Sequence, residues 1–138
     1  MTDTLCNAII AALRARGIPA FPEFPEQLPP VPDSRYFVTV SAEQAETGAP
    51  VLLPGQGCAV PVVIQLRVRS HACTRENLRA LAAQTEDCLR DTFDALRLDV
   101  RRTVRGEITY KKTIDRLVTE YMAMIYGMLV GEEDDDGA

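Results

Sequence analysis

The chain has 138 residues, of which 46% are hydrophobic and 25% charged, and its formal net charge is −5 at pH 7. This length and composition predict one globular domain, and the negative charge argues against a general nucleic-acid binder. No apolar run approaches the roughly 20 residues of a membrane-spanning helix, and no charged-then-apolar leader opens the chain. We therefore expect a soluble, intracellular protein without membrane association.

The first predicted element is a helix over residues 3–16, where apolar residues recur at helical spacing and Gly17 with a following proline is typical of a helix end. Residues 18–33 then hold six of the nine prolines, which leaves too few backbone donors for the inside of a sheet. In a polyproline II conformation Phe21 and Phe24 fall on one side. Two interpretations stay open: a stiff connector that both rings pin to their own domain, or a Pro-rich arm that docks on a neighbouring subunit.

Two strands are predicted next, over residues 35–42 and 58–71, from their β-branched and alternating composition. In the second strand one side is apolar and the other is polar, so we expect one buried face and one wet face. The apolar side comprises Val62, Ile64, Leu66 and Val68. The polar side comprises Gln65, Arg67 and Arg69.

A long loop, residues 43–57, separates these two strands and exceeds a normal hairpin connection. It carries Val51, Leu52 and Leu53, and solvated loops seldom expose three adjacent aliphatic residues. We interpret it as a projecting hairpin tip that meets a partner. The alternative is a flap folded back on the protein's own core.

A second helix is predicted over residues 74–96, with Thr74 as its N-cap. One face of this helix is expected to pack on the sheet, because apolar and small residues repeat at i, i+3 and i+4. That stripe consists of Leu78, Leu81, Thr85, Cys88, Leu89, Thr92 and Leu96.

The last third of the chain alternates. In residues 97–113, Gly106 permits a bulge or bend. One side of this alternation comprises Val100, Arg102 and Val104. Residues 115–129 fit a helix or a strand with two apolar faces, and their β-branched and aromatic content favours the strand. One face of that strand lies under the helices and the other calls for a covering protein. The candidate contact residues are Tyr121, Met122, Met124 and Tyr126.

The order of elements is helix, Pro-rich arm, strand, long loop, strand, helix and two strands. It predicts an α+β domain with an antiparallel or mixed β-sheet of about four strands and two helices packed on one face. The domain spans residues 1–131, and an acidic tail follows over residues 132–138.

The sequence offers little for catalysis. His71 is the only histidine, and Ser70 beside it points to the opposite face of a strand, which prevents a Ser–His pair. His71 and Cys73 supply two metal ligands, whereas zinc takes three or four protein ligands. Neither of the glycine-rich phosphate-binding motifs GxxxxGK(S/T) and GxGxxG occurs in the sequence. We predict no enzyme activity, no metal and no cofactor, and we interpret His71 as a surface histidine at a strand end.

Two further sets of residues have plain structural interpretations. The cysteines lack a CxxC pair and are predicted to be buried thiols in a reducing compartment: Cys6, Cys58, Cys73 and Cys88. Three aspartates on one ridge of the second helix are predicted to be a solvated acidic face rather than a catalytic pair: Asp87, Asp91 and Asp94.

Charge is distributed unevenly. Residues 97–116 hold seven basic and three acidic residues, although the chain as a whole is acidic. This basic region suits nucleic acid, or it suits the acidic helix and tail of a neighbouring copy in a head-to-tail ring. We favour the neighbouring copy, because Tyr110 is the single aromatic residue interleaved with the charges. The basic residues expected to make these contacts are Arg101, Arg102, Arg105, Lys111 and Lys112.

A family resemblance rests on two segments, the strand "VPVVIQLRVRSH" and the helix "TRENLRALAAQTEDCLRDTFDAL". They are set between an N-terminal helix, a long loop and two closing strands. The chain resembles the tail-terminator and tail-completion proteins of long-tailed bacteriophages and phage-tail-like particles. The resemblance covers nearly the whole chain and rests on element order. It implies a sheet flanked by two helices and a hexameric ring that caps the tail tube. The Pro-rich segment 19–32 is longer than this family suggests.

The resemblance further implies a structural virion protein of the tail-neck region, assembled in the cytoplasm of a bacterial host. Its expected partners are other copies of itself, the tail tube protein and the head-tail connector or neck protein, with the tail sheath as a further candidate. DNA is expected only as passing cargo, and Asp134–Asp136 or the helix carboxylates are candidates for an acidic lumen. The alternatives are another neck, sheath or baseplate subunit, or a small nucleic-acid-binding module.

Overall fold

The computed structural model describes residues 2–23, 36–53, 55, 57–112 and 114–130, without the side chains of Leu53 and residues 128–130. Two helices and seven strands lie within these residues. In chain order they are α1 (Thr2–Ala15), β1 (Ala20–Pro22), β2 (Phe37–Thr47), β3 (Val51–Leu53), β4 (Gly57–Ala72), α2 (Arg75–Ala95), β5 (Asp99–Arg105), β6 (Thr109–Lys111) and β7 (Arg116–Val130).

The strands form one mixed, mostly antiparallel sheet in the order β1-β2-β4-β7-β5. β3 extends the sheet beside β4, and β6 extends it beside β7. Only β1 runs parallel to its neighbour, β2, among the strands of the described residues. The predicted α+β class is therefore confirmed, with more strands than the expected four because three short strands join the edges and ends.

Both helices pack on the same face of the sheet, and the core lies between them and the strands. α1 contributes Leu5, Ile9, Ile10 and Leu13, while α2 contributes Leu81, Cys88, Leu89 and Phe93. The strands meet them with Val38, Val40, Ile64, Leu66, Val68, Ala123 and Ile125. Every second residue of a strand points to one face, so this list also fixes which residues point away from the helices.

α1 ends as its sequence predicts. The Gly17 N–H donates to the Arg14 carbonyl at 2.9 Å, and Gly17 has φ of +81°, a left-handed conformation that costs glycine little. The chain then turns sharply enough that the N–H of Ile18 donates to the Leu13 carbonyl at 3.0 Å and the Ile18 side chain is buried. This turn directs residues 20–22 towards the sheet.

The beginning of the Pro-rich arm forms a short strand at the edge of the sheet, which the sequence does not predict, although it stays out of the inside of the sheet as expected. β1 lies parallel to β2, with Ala20 beside Val38 and Pro22 beside Val40. An edge position tolerates proline because one side of an edge strand needs no ladder partner. β1 covers only the first part of β2, so in the part of the chain that the structure describes the outer edge of β2 beyond Val40 has no neighbouring strand. The rest of the arm, with Phe24, lies outside the described residues.

The prediction of a loop over residues 43–57 is largely wrong, because most of these residues continue the hairpin. β2 continues to Thr47, and β3 resumes the pairing with β4 at Val51. Between them the N–H of Gly48 donates to the Pro61 carbonyl at 2.7 Å, which carries the ladder across the break. The sequence conceals this strand because Glu43–Thr47 is exposed on both faces and so shows no apolar alternation.

α2 begins where predicted: the Thr74 hydroxyl accepts a hydrogen bond from the N–H of Asn77 at 3.2 Å. Its buried stripe differs from the prediction at the C-terminal end. Phe93 is buried, whereas Leu96 is 44% exposed. Phe93 lies one turn after the buried Leu89 and so keeps the stripe facing the sheet, while Leu96 is the C-cap and lies beyond the helix.

β7 confirms the strand interpretation of residues 115–129. It lies between β4 and β5, and its pairing with β4 runs from Leu117 opposite Ala72 to Val130 opposite Ala59. The acidic tail, residues 132–138, lies outside the described residues.

β5 contains a bulge that changes the predicted sidedness of its residues. The register shifts between Val100 and Arg102, so Val100 pairs with Ile125 on the helix side while Arg102 and Val104 point away. The expectation that these three residues share one side is therefore wrong. The bend at Gly106 is confirmed, and the N–H of Gly106 donates to the Glu120 carbonyl at 2.7 Å.

Candidate interaction surfaces

The sheet has a second face, which we call the helix-free face because no helix of the described residues packs on it. On β7 the alternation places Met122, Met124 and Tyr126 here, whereas Tyr121 lies on the helix side against the core. The methionines are half-buried and Tyr126 is 37% exposed. Of the predicted β7 contact residues, three thus share a face and Tyr121 does not.

The middle of the helix-free face is polar and internally bonded. The Arg69 guanidinium donates to Glu120 at 2.9 Å and to Glu23 at 2.7 Å, so it joins β4 to β7 and to the residue that follows β1. Arg67 donates to Gln65 at 3.3 Å. These side chains are half-buried rather than fully wet as predicted, and charge-assisted bonds of this kind fix the relative positions of the strands.

One end of the helix-free face is aromatic and buried. The rings of Phe37 and His71 stack with centroids 4.4 Å apart, and Phe21 meets Phe37 edge-on at 6.4 Å. His71 is 3% exposed, which corrects its interpretation as a surface histidine. Burial lowers the pKa of His71 to about 4. Phe21 packs on its own domain, as in the connector interpretation of the arm.

The β3–β4 end of the hairpin, which we call the tip, is apolar and exposed. Leu52 is 82% exposed and Val51 is 41% exposed. Neither side chain folds back on the core, so the flap interpretation is wrong for these two residues. Thr47–Leu66 includes no charged residue. The tip therefore offers apolar surface without nearby charge, although the side chain of Leu53 lies outside the description.

The predicted basic residues fall into two groups. Arg101 and Arg105 already have partners: Arg101 bonds to Asp99 at 2.9 Å and lies over the Tyr126 ring, and Arg105 bonds to Glu86 of α2. Hydrogen bonds to these carboxylates raise the pKa of both guanidinium groups. The second group is exposed and makes no ion pair with the described residues: Arg102, Lys111 and Lys112.

The acidic ridge of α2 is exposed but partly neutralised. Arg16, just after α1, bonds to Asp87 at 3.2 Å and also to Asp91. Asp94 is exposed at the last turn. Because Arg16 balances part of this charge, the ridge is a weaker candidate for an acidic lumen than its sequence suggests.

A groove of about 670 Å³ lies between α2 and the bend at Gly106. Arginines dominate its charged lining: Arg75, Arg79 and Arg105 line it together with Glu86 and Glu107. The sequence alone does not reveal this groove. The spacing of Arg75 and Arg79 shows that they share a helix face, but only the fold brings that face to β5.

The four cysteines differ in exposure. Cys88 is buried as predicted, but Cys6 and Cys58 are half-buried and Cys73 is exposed, so the prediction of four buried thiols is wrong. Within the described ranges, no three His, Cys, Asp or Glu side chains gather closely enough to hold a metal ion. Neither helix there has the length and apolar character to cross a membrane.

Compared with known proteins, the chain matches no family model, and no curated protein is significantly similar to it.

Proposed function

We propose that this chain is a structural protein of a long-tailed bacteriophage or phage-tail-like particle. In this proposal it is a tail terminator: its copies form a ring, hexameric as the resemblance implies, that caps the tail tube and joins it to the head connector. The order of elements on which the resemblance rests supports the proposal, and so does the α+β fold with two helices on one sheet face.

The observation that carries the proposal is the apolar tip. Burying one leucine or valine side chain contributes about 1.5–3 kcal/mol. Leu52 is 82% exposed, so the isolated chain leaves most of that energy unused. A ring repeats each contact once per subunit, so a small apolar contact becomes a large total. An exposed apolar end on a hairpin therefore suits an assembly protein.

The helix-free face supplies a second surface of the kind a subunit interface uses. Met122, Met124, Tyr126 and Val104 lie together there, with the bonded arginines beside them. Methionine adapts to imperfect fit and tyrosine adds area with a polar end, a composition that is common at protein interfaces. A capping ring needs contacts to neighbours and to the tube, and the tip and this face give the chain two distinct surfaces for them.

The Leu52→Asp substitution tests the role of the tip. We expect the parental chain to show a sixfold mass by light scattering, and the variant to be monomeric with an unchanged circular dichroism spectrum. The matched control is Leu96→Asp, which places the same charge on another exposed leucine and should keep the ring. A Leu52→Asp ring of parental mass contradicts the proposed contact.

A second experiment tests the position in the particle. Added to growing tail tubes, the parental protein should bind tube ends and stop elongation, which electron microscopy shows as shorter tubes with a terminal ring. A sheath subunit would instead decorate the tube length. A nucleic-acid-binding module predicts DNA binding that weakens steeply with salt, and that result would replace the structural role.

A further inference from the structure

We infer that the groove between α2 and the Gly106 bend binds the acidic stretch Glu132–Asp136 of a second copy of this chain. The inference rests on the proposed function, since it names a contact between the subunits of the ring. It assigns an occupant to a groove that the proposed function leaves empty.

The charges of the groove suit a run of carboxylates. Arg75 and Arg79 lie one turn apart on α2, line the groove and make no ion pair with the described residues. Arg105 and Glu86 neutralise each other, which leaves Glu107 as the opposing charge. Glu132–Asp136 contains five consecutive carboxylates. Arginine binds carboxylates through two parallel N–H groups, so two neighbouring arginines can hold a short acidic segment at successive residues.

The distance along β7 disfavours this contact within one chain. Thr119 lines the groove, and Val130 is the last described residue of the same strand. They are eleven positions apart, which is about 36 Å at the rise of a strand. Asp136 lies six residues beyond Val130 and reaches at most about 22 Å when fully extended. Even a fully extended main chain from Val130 to Asp136 is therefore shorter than the distance along β7 to Thr119, which favours an occupant from another copy.

The surroundings of the β7 end do not favour a local contact. Residues 36–66, which include the tip beside it, hold Glu43 and Glu46 and no lysine or arginine. Arg101, on β5, is bonded to Asp99. Arg102 is the exposed cation without a described ion pair on that strand, and it pairs in register with Met124, about 20 Å from Val130. Arg102 is thus the within-chain alternative.

A contact between one end of a subunit and a different site on the next is heterologous. Repeating it generates a closed ring when the rotation per subunit closes. Each subunit of the proposed ring then presents its groove to one neighbour and its acidic stretch to the other, so the ring has a direction.

A charge exchange between the two sites tests the inference. The groove variant carries Arg75→Glu and Arg79→Glu, and the tail variant carries lysine at each position of Glu132–Asp136. Alone, each variant brings like charges together and should need at least tenfold higher concentration to assemble, as measured by light scattering. An equimolar mixture should restore assembly, because each groove then meets a tail of opposite charge. Native mass spectrometry should find the two variants alternating in equal numbers.

Two results overturn the inference: a groove variant that assembles like the parental chain, or an equimolar mixture that stays dissociated. Circular dichroism confirms that each variant is folded. The equimolar mixture checks this a second time, because the two variants can restore assembly only if both are folded. If the parental ring forms and stops tube growth while the exchange has no effect, only this inference fails. A parental chain that stays monomeric and leaves tube growth unchanged removes the proposed function as well.

Discussion

Among single residues, His71 occupies the environment that differs most from the one its sequence suggests. It ends a long strand next to polar residues, yet its ring is buried and stacked on Phe37. Burial disfavours the charged imidazolium, and the nearby positive charges of Arg69 and Lys111 act in the same direction. The folded chain therefore holds His71 neutral well below the pH at which an unfolded histidine takes up a proton.

This environment predicts a loss of stability in mild acid. The unfolded histidine binds a proton with a pKa of about 6.5, and the folded one only at about 4. The free energy of unfolding should therefore fall as the pH decreases from about 6.5 to 4, by about 3 kcal/mol in total, and this contribution should be constant above that window. Urea denaturation at pH 7, 5.5 and 4 measures it.

The matched variant for this measurement is His71→Gln, which keeps hydrogen-bonding capacity and does not titrate. It should show a smaller decrease over the same pH range, since carboxylates contribute equally to both proteins. Identical pH slopes in the two proteins would show that His71 is not held neutral by the fold.

Each helix is held by one stripe of side chains, and α2 shows where that stripe ends. Phe93 continues the row of Leu81, Cys88 and Leu89 into the core, while Leu96 leaves it. The two positions are both large and apolar in sequence. They differ in their position relative to the end of the helix: Phe93 lies within α2, whereas Leu96 is its C-cap.

The difference predicts unequal costs for the same kind of truncation. Phe93→Ala should lower the free energy of unfolding by about 3–5 kcal/mol, because it leaves a cavity between α2 and the sheet. Leu96→Ala should change it by less than about 1 kcal/mol. Urea denaturation measures both changes in the free energy of unfolding, provided that its slope against urea concentration stays unchanged. Similar decreases for the two variants would support the buried stripe predicted from the sequence, which includes Leu96.

The elements that the sequence predicts well are those whose two faces differ, or whose length is unmistakable. The alternation in β4 and the capped stripe of α2 are of this kind. The two faces of β7 are both apolar, and its β-branched and aromatic content distinguishes it from a helix. The Glu43–Thr47 part of β2 is polar on both faces, so periodicity carries no signal there. The β5 bulge shifts the register by one residue without a proline or glycine to mark it. The arginine groove depends on how α2 meets the Gly106 bend, which is a tertiary relation.

At the scale of the whole molecule, charge is polarised along the strands. Lys111 pairs in register with Arg116, and Arg75 follows the end of β4 beside the start of β7, so this end of the sheet is basic. The opposite end has Glu43, Glu46 and Asp99 together with Arg102 and with Arg101, which is bonded to Asp99, and in the sequence the acidic stretch follows β7. In the proposed ring, the basic end of one copy would therefore attract the acidic stretch of the next.

This polarity predicts that assembly weakens with salt. Raising NaCl from about 0.1 M to 1 M shortens the screening length from about 10 Å to 3 Å, which weakens contacts between exposed charges. In 1 M NaCl the parental protein should therefore need a higher concentration to form the ring, which light scattering measures. A variant with Arg75→Gln and Arg79→Gln should assemble weakly and show less salt dependence. Assembly that tightens with salt would indicate that apolar contacts dominate.

The outer edge of β2 has a consequence for the life of the unassembled subunit. From Ser41 to Thr47 the backbone groups on the side away from β4 have no neighbouring strand in the described structure, and open edges of this kind promote aggregation by strand addition. Glu43 and Glu46 project from this edge, and Pro50 interrupts it before the tip. Those features impede uncontrolled stacking while leaving the apolar tip intact. In the proposed ring, these features would keep an unassembled copy from adding strands at this edge before it meets its partners through the tip.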